Sequence, residues 1–237
     1  SFTCANVGPN NVTLTITDVN TNSSNCTANI TVEDNVIPVA VCQNATVTLD
    51  GAGSATIPTG AIDNGSNDAC GISGMQVTPS MLSCANLGGN MVVLEATDNN
   101  GNTGSCTAAV TVIDNISPTA LCQDVTLQLD NAGNAILNTS DIDNGSNDVC
   151  GVASYSLSAT SFGCADIGAQ NVTLTVSDNA GNSQTCDATI TVEDNILPIA
   201  NCQDATVSVD VNGNANLAGN EIDDNSYDNC GFSFSAS

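Results

Sequence analysis

Lysine, arginine and histidine are absent from this 237-residue chain, and tryptophan with them. With no cationic side chain the protein cannot grip a nucleic-acid backbone or an anionic membrane surface, so neither is expected as a partner. Catalysis loses its ordinary groups as well: no base can activate a Ser or Cys nucleophile, and no cation can clamp an oxyanion or a phosphate. Cross-links between Lys and Asn are excluded on the same ground. Aromatic residues make up 3% of the chain, too few for an evident sugar-stacking platform. Apolar runs stay well short of the ~20 residues of a membrane span, so membrane insertion is not expected. No basic-then-apolar leader is present, and the sequence reads as a mature or excised segment.

What is present is acidic, polar and periodic. Its 25 Asp and Glu give a formal charge of -25, yet only 11% of residues are charged, well under the roughly 25% usual for soluble domains. Hydrophobic residues at 41% separate the chain from a disordered acidic tail. The twelve cysteines fall into four classes on one 80-residue period: Cys4, Cys84 and Cys164; Cys26, Cys106 and Cys186; Cys42, Cys122 and Cys202; Cys70, Cys150 and Cys230. A fixed period settles the architecture before local propensity does, and this one suits a small independent domain. Cysteines in such register imply disulfides and an oxidising, extracellular or cell-surface location. Zinc fits poorly, because no pair has CxxC spacing and no His is available.

Apolar residues on every second position mark strands with one buried face in "NVTLTITD", "MVVLEATD" and "NVTLTVSD", as at Val172, Leu174 and Val176. The following "CTAAVTVID" and "CDATITVED" continue the pattern through Val110 with Val112 and Ile190 with Val192, and the intervening "DNNGN" and "DNAGN" are turn signals. Upstream come "VTLQLD", a Gly-containing turn, a short strand through Ala135 and Leu137, the loop "DIDNGSNDVCG" and a strand after Cys150. No stretch has helical periodicity. The expected fold class is all-β: tandem immunoglobulin-like β-sandwiches on the 80-residue repeat, stacked end to end.

The succession "VEDNILPIANCQDATVSVD", "IDDNSYDNCG" and "NVTLTVSDNAGNSQTCDATITVEDN" resembles the hyalin-repeat (HYR) and related immunoglobulin-like tandem repeats of bacterial cell-surface and secreted proteins, over the whole chain. The resemblance implies a β-sandwich with an adhesive or structural extracellular role. The chain departs from the common hyalin-repeat pattern in its Cys4, Cys84 and Cys164 class and in the Gln after the repeat's first cysteine, so the pairing is argued from topology. The first and last strands of such a sandwich run parallel, which brings Cys42 to Cys106 and Cys122 to Cys186. Cys70 with Cys84, and Cys150 with Cys164, remain as local pairs, unless Cys84 sits at the end of the sandwich opposite Cys70.

Two repeats are complete, 36–115 and 116–195. Residues 1–35 supply only the last two strands of a unit, and residues 196–237 only its first three. The halves are complementary. The C-terminal half is therefore expected to be completed by residues 1–35 of a neighbouring copy, with Cys26 bridged to Cys202 and Cys4 to Cys230 across chains, or by the continuing repeat chain. Either arrangement gives a linear head-to-tail stack.

Carboxylates gather where one repeat follows another. The candidates are Glu33, Asp34, Asp63, Asp68 and Asp98 at the first junction, and Asp114, Asp143, Asp148 and Asp178 at the second. Glu193, Asp194, Asp223 and Asp228 fall at the third, with Asp18 from a neighbour. Calcium takes six to eight oxygen ligands and suits such sets, where it would stiffen the junctions. The alternative is that these residues only make turns with their own backbone. With no cationic side chain to neutralise clustered carboxylates, the ion is favoured.

N-x-S/T triplets begin at Asn11, Asn22, Asn25, Asn29, Asn44, Asn64, Asn115, Asn138, Asn144 and Asn171. Chance alone produces such triplets in an Asn- and Thr-rich sequence. Asn11, Asn44, Asn115 and Asn171 are the acceptors singled out for a covalent glycan. Asp pairs of the kind that hydrolyse glycosides recur in every unit, which suits structure better than one tuned active site. The expectation is a non-enzymatic structural segment or subunit of an extracellular fibre or stalk. The competing readings are an adhesin or glycan- or surface-binding module, and a spacer in a large secreted enzyme.

Overall fold

The computed structural model describes residues 1–235, in two compact units, Ser1–Ile116 and a second that begins at Ser117. The first unit begins with a hairpin of β1 (Gly8–Thr17) and β2 (Ser23–Val32), paired one to one from Gly8↔Val32 to Thr17↔Ser23. A sandwich follows: β3 (Ala45–Thr48), β4 (Ser54–Thr56), the single turn α1 (Thr59–Ile62), β5 (Ile72–Thr78), β6 (Met81–Ser83), β7 (Gly88–Asp98) and β8 (Thr103–Ile113). One layer is a four-stranded sheet in the order β3-β8-β7-β5, with β3 parallel to β8 and the other neighbours antiparallel. The facing layer is thinner. It holds the β4–β6 pair, α1, and the isolated bridges Val39↔Asn67 and Cys42↔Asp63.

The alternation in β7 and β8 dictates which face is buried. Val92, Leu94, Ala96, Ala108, Val110 and Val112 are buried, as are Val77 of β5 and Leu49 just after β3 in the same sheet and Ala55, Ile57, Ile62 and Leu82 of the facing layer. The second unit repeats this with β9 (Val125–Gln128), β10 (Asn134–Ile136), α2 (Thr139–Ile142), β11 (Val152–Leu157), β12 (Ser161–Gly163), β13 (Gly168–Asp178) and β14 (Ser183–Glu193). Its sheet order is β11-β13-β14-β9, again with the first strand parallel to the last. Leu129, Leu137, Ile142, Phe162, Leu174 and Ile190 form its core. The chain is thus all-β, with tandem immunoglobulin-like sandwiches.

The segments flanking the two sandwiches behave differently. In β1–β2 the residues 80 positions before the sandwich core are uncovered: Leu14 is 58% and Ile16 65% exposed, where Leu94 and Ala96 are both 0%. Residues 196–235 contain no strand among the described residues, only the bridges Ile199↔Tyr227 and Cys202↔Asp223 and a 3-10 turn at Gly219–Glu221. Three strands are expected there from the sequence. In the complete repeats the first and third of those strands owe their ladders to β7–β8 or β13–β14 and the second to β6 or β12, and among the described residues no such partner pairs with 196–235. A hairpin, in contrast, satisfies its own ladder.

The disulfides correct the expected pairing. Cys42 is bonded to Cys106 and Cys122 to Cys186, clamping the first strand region to the last. Cys70, however, is bonded to Cys4 rather than Cys84, and Cys164 to Cys230 rather than Cys150. The reason is length: β5 holds 7 residues, roughly 23 Å at ~3.3 Å per residue, and separates Cys70 from the turn carrying Cys84. Cys84 and Cys150 are each in a disulfide as well. The expected interchain bridge of Cys4 to Cys230 is likewise overturned, since both sulfurs are taken within the chain. Among the described residues Cys26 and Cys202 are free and exposed.

Two stability outcomes follow. Leu94→Ala leaves a cavity in a closed core and should cost about 2–5 kcal/mol in denaturant unfolding, whereas Leu14→Ala should leave the dispersed chain within about 0.5 kcal/mol. Thr21 occupies the left-handed position (φ 72°) that Gly101 and Gly181 fill in the corresponding turns. Thr21→Gly should therefore stabilise the β1–β2 hairpin by about 1 kcal/mol, read as slower amide exchange across it.

Candidate junction site

The first unit places a carboxylate pair where the hairpin leads into the sandwich. After Val32 closes the β1–β2 ladder, Asp34 lies against the β7–β8 turn. Asn100 Nδ2 donates to Asp34 Oδ2 at 2.7 Å and Asn102 Nδ2 to the Asp34 carbonyl at 3.0 Å. Asp34 Oδ1 accepts the Val36 N–H at 3.1 Å. The loop before β5 brings Asp68, whose Oδ1 accepts the Cys70 N–H at 2.7 Å. Oxygens of Asp34 and Asp68 and the Cys70 sulfur lie within 4.8 Å of one another. Cys70 is bonded to Cys4, so its sulfur is no thiolate and the hard donors are the two carboxylates.

The other first-junction candidates are occupied elsewhere. Asp98 is buried and holds the β7–β8 turn: Oδ1 accepts the N–H groups of Asn100 and Asn102, both at 2.8 Å, and Oδ2 accepts Asn102 Nδ2 at 2.7 Å. Burial pushes its pKa up, but the hydrogen bonds, led by the Asn102 side chain, outweigh it and hold the carboxyl below its ordinary value. Asp63 Oδ1 accepts the Ser66 N–H at 2.9 Å, while the Ser66 hydroxyl accepts the Val41 N–H. Ser66, through side chain and backbone, draws the Asp63 carboxyl below its usual range. Glu33 takes a hydrogen bond from Asn35.

The candidates of the second and third junctions have the same local roles. Asp178 holds the β13–β14 turn through Ala180 and Asn182, and against its burial these bonds keep the carboxyl low. Asp143 and Asp223 repeat Asp63, accepting from Ser146 and Ser226. Asp114 accepts the Ile116 N–H, and Asp148 and Asp228 accept those of Cys150 and Cys230. Glu193 accepts from Gln128 and Asn195. Asp194 differs from Asp34: besides the Ile196 N–H it accepts Asn229 Nδ2 at 3.0 Å, and Asn229 also donates to the Asp130 carbonyl. Asn229 stands where the first repeat has Ala69. Among the described residues no three-group cluster forms around Asp194 and Asp228. Asp18 holds its own turn through Asn22 and Asn20, which lowers its pKa.

Three turn carboxylates fall outside the expected set. Asp50, Asp130 and Asp210 each accept two backbone N–H groups, at the second and fourth residues beyond. Their signal is the same Asp with Gly three residues on that marks "DNNGN". Of the glycan acceptors, Asn11, Asn44, Asn115 and Asn171 are all exposed, and Asn44 Oδ1 also accepts the Ala109 N–H.

Beside the carboxylate pair runs the Cys4–Cys70 bond, which staples the 3-10 turn before β1 to the Asp68 loop. Its loop of 66 residues corresponds to about 4 kcal/mol of unfolded-state entropy in the chain-entropy account. Cys164–Cys230 does the same in the second unit for the turn before β13 and the Asp228 loop.

No family model matches the chain, and no curated protein does. Solved structures similar to it include protocadherin gamma C5 EC1-3, at 13% identity, 80% of this chain, 79% of that one and a TM-score of 0.40. Protocadherin gamma B7 cadherin domains 1–4 follow at 12% identity over 87% of this chain, with a TM-score of 0.36. The match spans 63% of that four-domain chain. A three-domain titin structure, I67–I69, is similar at 13% identity over 78% of this chain and 75% of that one, with a TM-score of 0.32. The fold assignment rests on the strand order itself. Among the described residues no helix is long and apolar enough to cross a membrane.

Acid should probe the turns. A carboxyl whose folded pKa is lowered binds its proton less readily than in the unfolded chain. Its stabilisation is complete above the unfolded value, near ~3.9, and is lost as pH falls through the folded one. Protonation also relieves the general repulsion of a -25 chain, so the comparison with a variant carries the test. Asp98→Asn should melt lower than the parent at pH 7 and show a smaller difference from it at pH 2.5. An equal difference at both pH values would mean that the ionised form contributes nothing.

Proposed function

We propose that this chain is a non-enzymatic structural repeat segment of an extracellular fibre or stalk, assembled head to tail through complementary half-domains. The observation that carries this reading is the uncovered inner face of β1–β2. Val12, Leu14, Ile16 and Ile30 are exposed, while the residues in register with them, Val92, Leu94, Ala96 and Val110, are each 0% exposed beneath the facing layer of their sandwich. The counterpart is equally uncovered in residues 196–235, where Val209 is 67% exposed and the matching Leu49 and Leu129 are 3% and 4%. Residues 1–35 and 196–237 are read as the two halves of one sandwich, supplied by neighbouring copies or by the continuing chain. Covering faces of this size is favourable by roughly 25 cal/mol per Å² of apolar surface removed from water.

The disulfides support an oxidising compartment, and with it an extracellular or cell-surface setting. The hyalin-repeat resemblance belongs to the same reading, and exposed Asn11, Asn115 and Asn171 leave room for covalent glycan. Calcium is proposed at the first junction, on Asp34 and Asp68. Two carboxylates fall short of a full calcium shell, so backbone carbonyls, side-chain amides and water would complete it.

In sedimentation at rising concentration the full chain should form a linear series, and Leu14→Asp, which places a charge on the inner face, should leave a folded monomer. A monomer at every concentration in the parent chain would overturn assembly between copies. Titration calorimetry of the full chain with calcium should give uptake that Asp34→Asn with Asp68→Asn removes; no heat from the parent chain would remove the ion from the account.

A further inference from the structure

Ten of the twelve cysteines are disulfide-bonded, which leaves Cys26 and Cys202. Each sits in the local frame that its counterparts have when bonded. Cys26 faces Leu14 across the β1–β2 ladder, as Cys106 faces Leu94 and Cys186 faces Leu174. Cys202 is bridged to Asp223, as Cys42 is to Asp63 and Cys122 to Asp143. In both complete sandwiches these two positions are joined, with Cα atoms 5.8 Å apart. Two separate stretches of chain thus each hold one half of a bond that occurs twice elsewhere in the same molecule.

We propose that Cys26 of one copy and Cys202 of a second copy form a disulfide that locks each head-to-tail joint. The inference rests on the half-domain reading above and adds its covalent chemistry. Cys202 lines a cavity of about 260 Å³ with Ile199, Ala200, Ile222, Phe232 and Phe234. This is the apolar groove that the β1–β2 inner face of the second copy would cover. The occupant is set by register. In the complete repeats Asn44 Oδ1 accepts the Ala109 N–H and Asp124 Oδ1 the Thr189 N–H, at 2.9 and 2.7 Å. The equivalent contact in the joint is Asp204 Oδ1 with the Asn29 N–H of the second copy. Just beyond it, residues from Ala205 onward would run parallel to β2 from Ile30, as β3 does to β8 from Ala45↔Val110 and β9 to β14 from Val125↔Ile190.

The oxidant is a low-molecular-weight disulfide. The thiolate of Cys26 attacks one of its sulfurs, forming a mixed disulfide and releasing one thiolate. The Cys202 thiolate of the second copy then displaces the other. Two protein thiols give up two electrons and two protons, one S–S bond forms in the protein, and the small disulfide becomes two thiols. Cys4 and Cys230 take no part, so each joint carries one covalent link.

The test oxidises the full chain with glutathione disulfide and reads it by non-reducing denaturing electrophoresis, peptide mass mapping and native light scattering. The expected result is a ladder in steps of 23.7 kDa joined only by Cys26–Cys202 peptides. Cys26→Ser and Cys202→Ser should each run as monomers in the gel while still associating in native solution. Their equimolar mixture should recover one disulfide dimer. Native assembly without the Cys26–Cys202 peptide, or dimers joined Cys26 to Cys26 or Cys202 to Cys202, overturns the lock and leaves the half-domain reading standing. Absence of association in every state removes both.

Discussion

The apolar face of a two-stranded hairpin has to be covered, and the rest of this structure depends on how that is done. β7–β8 and β13–β14 present a valine- and leucine-rich inner face that no hairpin can bury alone. The covering layer is thin: two short strands, one helical turn and two isolated bridges. Closing it takes a bond from each side, Cys42–Cys106 in one sandwich and Cys122–Cys186 in the other. With 3% aromatic residues the cores are small, and disulfides supply part of what larger side chains would contribute. The same requirement makes the flanking segments informative. β1–β2 keeps its ladder and lacks its cover; residues 196–235 lack the ladder that their partners in the complete repeats receive.

A chain with no cations must stabilise its carboxylates with hydrogen bonds. The aspartates do so almost everywhere by accepting N–H groups of the turn that follows, two at a time at Asp18, Asp50, Asp98, Asp130, Asp178 and Asp210. Such turns fix the hairpins without any ion pair, which explains how a protein of this charge keeps a sparse charged surface. They also separate structural carboxylates from those with capacity left. Asp34 and Asp68 meet beside the Cys4–Cys70 staple. At the third junction the Asn229 amide reaches Asp194.

Much of this was legible in the residues. Strict alternation placed the inward faces of β7, β8, β13 and β14, and the 80-residue register of cysteines and glycines marked the repeat and its turns. The parallel pairing of first and last strands, and with it Cys42–Cys106, came from topology alone. The acidic residues were legible as a set but not as individuals. An Asp that accepts its own turn's N–H groups has the same letter as one facing a neighbouring loop, and Asp98 and Asp34 differ only in what packs against them.

The sequence by itself determined the periodicities: an alternating apolar face, a turn aspartate followed by glycine, and one cysteine of each class per repeat. These are local, and a chain of any three-dimensional arrangement built on them would share them. Which cysteine meets which was decided by the tertiary structure, because β5 and β11 carry the chain from one end of a sandwich to the other. Neighbours in sequence such as Cys70 and Cys84 are thereby separated, while Cys4 and Cys70, 66 residues apart, are brought together.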